Sequence, residues 1–326
     1  MTPSPINFAT DRLLITGGQG FLGKHLRRAL LERGADESRL FCPSHAEYEL
    51  TDEAQVRRLY EQVQPDVVFH LAAEVGGIGA NAAHPGRFFY ANFAMGLHMI
   101  EFGRRHGLKK FLHCGTVCAY PKHARMPFTE DQFWESYPAE PTAPYGIAKL
   151  SLNVMLDGYA REYGLPSATV IPVNLYGPGD DFDLHNAHVV AALVRKFVAA
   201  AERDDPEVIV WGSGRASREF LHVRDAAEGL VAAAERVAES TPINLGSGIE
   251  TPIAELTQVI AAETGFTGRI VWDDEKPDGQ PRRCLSMDRS HALLDWSAQI
   301  PLAEGIRETV AWYRQHRSQF GPTAQA

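Results

Sequence analysis

Short apolar runs alternate with amphipathic stretches through the first half of the chain. Leu13-Leu14-Ile15, Leu40-Phe41-Cys42, Val67 to Leu71, Phe111 to Cys114 and Ala168 to Pro172 are runs of strand length. Between them the apolar residues recur every three or four positions. That spacing predicts helices over Phe21 to Glu32, from Thr51 and Asp52 onward, from about Phe88 to His106, and from about Tyr145 to Tyr163. Strands separated by helices of this length imply parallel βαβ units. The expected fold class is therefore α/β, with a doubly wound parallel Rossmann sheet.

The second half changes character. Short strands are predicted at Val208 to Trp211, Ile243 to Leu245 and Arg269 to Trp272, with helices near 188–202, 252–264 and 302–316. They predict a smaller C-terminal α/β lobe at the carboxyl edge of the sheet. Residues from about Ser318 are expected to fray. No internal repeat or low-complexity segment is visible.

Composition narrows the partners. The net charge of −9 over 326 residues argues against nucleic acid, which needs clustered Lys and Arg. No apolar run approaches the length that spans a bilayer, and Met1 to Arg12 has no signal-peptide pattern, so no membrane partner is expected. Four cysteines are too few for a disulfide framework, which predicts a reducing, cytoplasmic setting.

Chemistry enters at three places. Gly17, Gly20 and Gly23 follow the first strand and open a helix, where backbone amides at a positive helix end receive a pyrophosphate. Tyr145 and Lys149 are four residues apart on one helix face, so the ammonium is expected to lower the phenol's pKa for proton exchange with a carbinol or ketone oxygen. Thr116, just past the fourth strand, offers a hydroxyl to the same oxygen.

With His70-Leu71-Ala72-Ala73, these residues make the chain resemble the extended short-chain dehydrogenase/reductases. Val75-Gly76-Gly77-Ile78, Cys118-Ala119-Tyr120-Pro121-Lys122, Asn174-Leu175-Tyr176-Gly177-Pro178, Arg218-Glu219-Phe220-Leu221-His222-Val223 and Lys276-Pro277-Asp278-Gly279 resemble its GDP-L-fucose synthase branch. These landmarks run from about residue 13 to 284. The resemblance implies a nucleotide-diphosphate sugar as substrate, most simply a GDP-sugar. It also implies 3,5-epimerisation of a 4-keto-6-deoxyhexose followed by 4-reduction with NADP(H). It assigns hydride-transfer roles to Thr116, Tyr145 and Lys149, and epimerisation to Cys118 and His188. Gly17, Gly20, Phe21, Gly23, Ser44, Asp52, Leu71, Ala72 and Asn174, with Tyr145 and Lys149, fall to the cofactor. Val189, Lys196, Trp211, Arg218, Lys276 and Asp278 fall to the nucleotide sugar. Residues 1–174 would mainly bind the dinucleotide and 175–326 mainly the substrate, with some chain crossing back. A homodimer through the 88–106 helix and the Tyr/Lys helix is implied as well.

Departures from the pattern keep an alternative open. Val117 stands where the branch often has a second serine, and Gln19 and His45 where some members carry arginines facing the adenosine 2′-phosphate. No acidic residue ends the second strand to favour NAD(H). Ser44 and His45 offer hydrogen bonds to that phosphate, which predicts a mild NADPH preference. The alternative is a non-reducing NAD-dependent epimerase or dehydratase. A non-catalytic dinucleotide sensor would not need Thr116, Tyr145 and Lys149 together. His113, Cys114 and Cys118 lack the partners for tetrahedral zinc, so no metal is expected. His84, His106 and His123 read as surface or turn residues, and Cys42 and Cys284 as inert thiols.

Overall fold

β1 (Leu13–Thr16) is fully buried, and its alternating side chains feed two apolar clusters: Leu13 and Ile15 enter one, Leu14 the other. It begins a chain that a computed structural model describes over residues 5–183, 187–237, 239–276 and 280–321. Next come α1 (Phe21–Glu32), β2 (Leu40–Phe41), α2 (Glu53–Val63), β3 (Val67–His70), the short α3 (Ile78–Ala83), α4 (Pro85–His106), β4 (Lys110–Cys114), α5 (Ala143–Tyr163) and β5 (Ser167–Pro172). The later chain gives β6 (Asn174–Tyr176), α6 (Val189–Glu202), β7 (Glu207–Trp211), β8 (Ser217–His222), α7 (Val223–Arg236) and β9 (Pro242–Leu245). β10 (Glu250–Pro252), α8 (Ile253–Thr264), β11 (Arg269–Asp273), α9 (Asp288–Leu294) and α10 (Leu302–His316) complete it.

The main sheet is parallel, in the order β2-β1-β3-β4-β5-β9. α1 and α7 fill one face through Leu26, Leu30 and Leu230. α2, α4 and α5 fill the other through Val56, Leu59, Met99, Ile100, Leu152 and Leu156. From β1 the chain steps to β2 on one side and returns as β3 on the other. That reversal opens a crevice at the strands' carboxyl ends. A separate core joins α6, α8 and α10 beneath the β7–β11 pair, through Val194, Phe197, Ile260 and Val310. β8, paired with β6 and β10, stands between the two bodies.

The alternation in the first half predicts the fold class correctly. Three expectations differ. Ile243 to Leu245, expected in the smaller lobe, is the sixth strand of the main sheet, with Ile243 opposite Val170; pairing so distant in sequence leaves no local signature. α7 went unpredicted because its inward face is built largely of alanines (Ala226, Ala227, Ala233, Ala234), which blunt the apolar period. The expected fraying from Ser318 is contradicted as far as Phe320. Residues 317–320 form a 3₁₀ turn whose Phe320 ring lies 5.4 Å from that of Phe182.

The start of α5 packs against the 3₁₀ turn Val117–Ala119 that follows β4. A Cβ at Gly146 would lie 2.7 Å from the Cys118 carbonyl carbon and 3.0 Å from Ala119 Cα, both backbone atoms. Gly146→Ala is therefore expected to cost about 1–3 kcal/mol of stability and to shift the turn that carries Cys118. Thermal unfolding and steady-state rates measure both effects; an unchanged melting temperature with unchanged turnover would contradict this contact.

Candidate active site

The cradle at the end of β1 is shaped by close approach. Gly17 has a φ of +71°, and a Cβ there would lie 2.8 Å from the Ala72 nitrogen. A Cβ at Gly23 would lie 2.5 Å from Gly18 Cα. Thr16 Oγ1 bonds His70 Nδ1 at 2.8 Å and accepts from the Ala72 amide at 3.3 Å, tying the ends of β1 and β3 together. α1 starts at Gly20 with no side-chain cap and no acidic residue in its first turn. Its first amides and positive end are left for an anion, so the cradle fits a dinucleotide pyrophosphate.

From this turn a cavity of about 1830 Å³ crosses the strand ends to the far lobe. Single-ligand sites commonly occupy roughly 300–1,000 Å³. This one has room for a dinucleotide and a second nucleotide-sized molecule. Thr116, Cys118, Tyr145 and Lys149 line it from the main-sheet side, and His188, Trp211, Arg218 and Lys276 from the far lobe. Gly17, Gly20, Phe21, Gly23, Ser44, Leu71, Ala72 and Asn174 also line it.

Burial dominates the electrostatics. Thr116 caps the turn, accepting the Cys118 amide at 3.2 Å, and hydrogen-bonds Tyr145. Burial pushes the Tyr145 phenol above its ordinary value, and the Cys118 and Cys114 thiols add to this, with Thr116 opposing. Lys149 is only 2% exposed, and burial pushes it down. The Tyr145 phenol thus stands above its ordinary value, where the sequence led us to expect it below, and burial is the largest cause. Behind Lys149, His113 Nε2 bonds the Lys149 carbonyl at 3.2 Å and stacks on His70 with centroids 6.2 Å apart. Burial pushes His113 down to about 3 and His70 well below its ordinary value, so both rings are neutral. Across the cavity, His188 precedes α6 without capping it; the cavity walls lower its pKa and Asp181 opposes them.

Several expected site residues stand elsewhere. The Asp52 carboxylate caps α2, accepting from Ala54 N at 2.9 Å and Gln55 Nε2 at 3.2 Å, outside the cavity wall. Val189 and Lys196 are also outside it; Lys196 Nζ donates to the Ile209 carbonyl at 2.6 Å, bracing α6 on β7. Asp278 lies outside the described residues. Ser44 lines the cavity, but its N–H and O–H both donate to Glu47 Oε2 at 2.7 Å, and His45 pairs with Glu49 at 3.4 Å. Residues absent from the expectation also line the cavity: Glu74 with its ion-pair partner Arg87 at 2.7 Å, Asp180, and Arg283. Glu74 directly follows His70-Leu71-Ala72-Ala73 and Asp180 follows Gly177-Pro178, so motif proximity was the available signal. Among the described residues no cluster of three His, Cys, Asp or Glu side chains is arranged to hold a metal.

The family model for the NAD dependent epimerase/dehydratase family matches residues 13–246. The chain is 36% identical over 319 residues to the GDP-L-fucose synthase of Escherichia coli (strain K12), covering 95% of this chain and 98% of that one. It is 37% identical to GDP-L-fucose synthase 1 of Arabidopsis thaliana, with 95% of each covered. Among solved structures it resembles a GDP-L-fucose synthetase from Naegleria fowleri bound to NADP, with a TM-score of 0.87, 26% identity and 97% of each chain covered.

Asp180 yields a test of the site's electrostatics. Oδ1 accepts the Asp181 amide at 2.8 Å, while Oδ2 is buried without a hydrogen-bond partner. Burial raises the carboxyl from 3.8 to about 7. The folded protein therefore retains a proton that the unfolded chain releases above pH ~4, so stability falls as pH rises toward 7 and levels off beyond it. Asp180→Asn is expected to gain little at pH 4, progressively more up to pH 7, and a constant roughly 1–4 kcal/mol above that. Denaturant unfolding across pH 4–9 measures the curve; a pH-independent difference would show that the carboxyl is not buried in this way.

Proposed function

The chain belongs to the NAD dependent epimerase/dehydratase family, and from that premise we propose that it is a GDP-sugar epimerase/reductase. In this reading it inverts C3 and C5 of a GDP-4-keto-6-deoxyhexose and reduces C4, giving GDP-L-fucose or a close relative. The observation that carries the reading is one cavity with two sets of proton-transfer groups: Tyr145 with Thr116, and Cys118 with His188 from the opposite lobe.

The residue roles follow from the chemistry. Inverting a carbon beside a ketone removes a proton from one face and returns one to the other, so two groups must flank the sugar. Cys118 and His188, a thiol and an imidazole on facing walls, supply them. Reduction needs an acid that still holds its proton at neutral pH, and burial keeps that proton on Tyr145. Lys149, one helical turn from Tyr145, is placed to stabilise the charge that proton transfer leaves on the phenol oxygen. Bound NADPH supplies the hydride. In the far lobe, Trp211 is 70% exposed and the Lys276 ammonium lies 5.8 Å from its ring centroid. That pair suits a base and its diphosphate, with Arg218 as a second cation. Exposed Val154 and Tyr163 on α5, which packs against α4, support a homodimer through that face. Four free cysteines support a reducing cytoplasm, and among the described residues no helix is long and apolar enough to cross a membrane.

A recycling, NAD-dependent epimerase is the second reading, favoured by Glu47 and Glu49 occupying the donors of Ser44 and His45. Fluorescence titration separates the two. NADPH should bind more tightly than NADH, by no more than about tenfold because no arginine fork grips the 2′-phosphate. A clear preference for NADH would promote the second reading.

With GDP-4-keto-6-deoxymannose, the protein should consume NADPH. Tyr145→Phe should lower that turnover by roughly two orders of magnitude or more, the scale of losing a positioned acid. In Cys118→Ser, solvent deuterium exchange at C3 and C5 should collapse while direct C4 reduction partly survives. Wild-type exchange in that variant would make the cysteine structural and remove the epimerase half of the proposal.

A further inference from the structure

Past β3 the chain leaves the main sheet and forms one wall of the cavity before α4 begins. β3 runs parallel to β4 with His70 opposite His113, so this segment emerges beside the turn that carries Thr116 and Cys118. Glu74, Val75, Gly76, Gly77 and Gly79 all line the cavity. The backbone here has wide freedom. Three of the four residues 76–79 are glycines, and a Cβ at Gly77 or Gly79 would meet nothing within 4 Å.

Side chains fix the wall from two directions. On the buried side, Asn92 of α4 clamps the Glu74 main chain, accepting its amide at 3.2 Å and donating to its carbonyl at 2.9 Å. Asn81 Nδ2 donates to the Gly76 and Gly77 carbonyls at 2.9 and 3.1 Å. On the cavity side, the Glu74 carboxylate meets Arg87 Nε at 2.7 Å, joining the start of the wall to the first turn of α4. Glu74 is 27% exposed and Arg87 69%. An ion pair so open to water adds little to overall stability. Its effect is local: with the Glu74 backbone held by Asn92, the pair sets where the glycine-rich wall stands.

That placement bears on one part of the ligand. The base and diphosphate are assigned above to Trp211 and Lys276 in the far lobe, and the dinucleotide pyrophosphate to the glycine cradle. The hexose is the part that stands beside Thr116 and Cys118. We propose that Glu74 and Arg87 act together as a positioning pair for the hexose, their contact holding the 75–79 wall against the sugar without either side chain gripping the nucleotide. The proposal rests on the nucleotide-sugar reading above. Within it, the wall limits how the ring turns between Cys118 and His188.

A double-mutant cycle tests it, read as NADPH-dependent turnover of GDP-4-keto-6-deoxymannose. Glu74→Leu and Arg87→Met should each lower kcat/KM roughly tenfold, mostly through KM, short of the roughly hundredfold that a 1 Å misplacement can cost. The double variant should be no worse than either single one. Exchanging the charges, Glu74→Arg with Arg87→Glu, should recover kcat/KM to within about threefold. In the Leu and Met variants, NADPH and GDP affinities should stay within about twofold. Their melting temperatures should stay within about 3 °C, as expected for an exposed pair.

Full activity in the double variant would mean that the net charge of the cavity matters and the contact does not. Additive losses would mean that the two side chains act separately, and a parallel loss of GDP affinity would assign Arg87 to the diphosphate. Each of these overturns the proposal, as do wild-type rates in both single variants or a charge exchange as poor as the singles. If Glu74→Leu does not fold, Arg87→Met, at the more exposed side chain, and the charge exchange carry the same test. A wild-type protein that does not turn over the keto sugar removes the nucleotide-sugar reading, and the proposal with it.

Discussion

The site is arranged around a lysine side chain taken almost completely out of water. Lys149 is 2% exposed, and among the described residues no carboxylate is paired with it. Burying an unpaired ammonium is unfavourable, as its lowered pKa records. A carboxylate neighbour would relieve that cost but would also neutralise the charge. The chain surrounds Lys149 instead with groups that stay neutral. His70 and His113 are both held far from protonation, the Cys114 thiol is raised by burial, and Tyr145 keeps its proton. Among the described residues no neighbour neutralises a positive charge formed on Lys149, and low polarity strengthens its pull on an oxygen brought beside it.

That constraint reaches into the fold. Lys149 can be buried only if α5 lies close against both α4 and the turn after β4, and glycines provide the clearance. Gly146 lets the helix backbone reach the Cys118 carbonyl, and Gly96 of α4 leaves room for Leu152. The two histidines serve the same packing: one ties β3 to Thr16 of β1, the other ties β4 to the Lys149 carbonyl. Chemistry and packing are therefore specified by the same few residues.

Features written in local spacing were legible in the sequence. The glycine turn and the Tyr145/Lys149 interval depend on neighbours within a few residues, and β1 is announced by its own apolar run. What escaped depends on distance or on competition between partners. β9 is a strand of four residues with a polar Asn244 in its middle, and its place in the main sheet follows only from pairing with β5. Ser44, Asp52 and Lys196 have the right chemistry for a ligand, but Glu47, the first turn of α2 and the Ile209 carbonyl engage their polar groups first. Spacing shows that a donor exists; it does not show that the donor is free.

The two halves of the cavity come from different cores, and two buried polar residues set the distance between them. On β8, alternation sends Arg218 toward the cavity and Glu219 into the interior, where its carboxylate accepts the Gly248 amide at 2.6 Å and the Leu285 amide at 2.7 Å. On β9, Asn244 takes the Tyr120 hydroxyl at 2.6 Å and donates to the Phe128 and Ser286 carbonyls at 2.9 and 3.1 Å. The segment 284–286 is thus gripped from both sides, by the strand that carries Arg218 and by the last strand of the main sheet. An apolar pair at these positions would bury similar area but leave the relative placement of the walls free to slide. Directional bonds at that seam hold the strand that carries Arg218 against the main sheet and so fix the two cavity walls to each other.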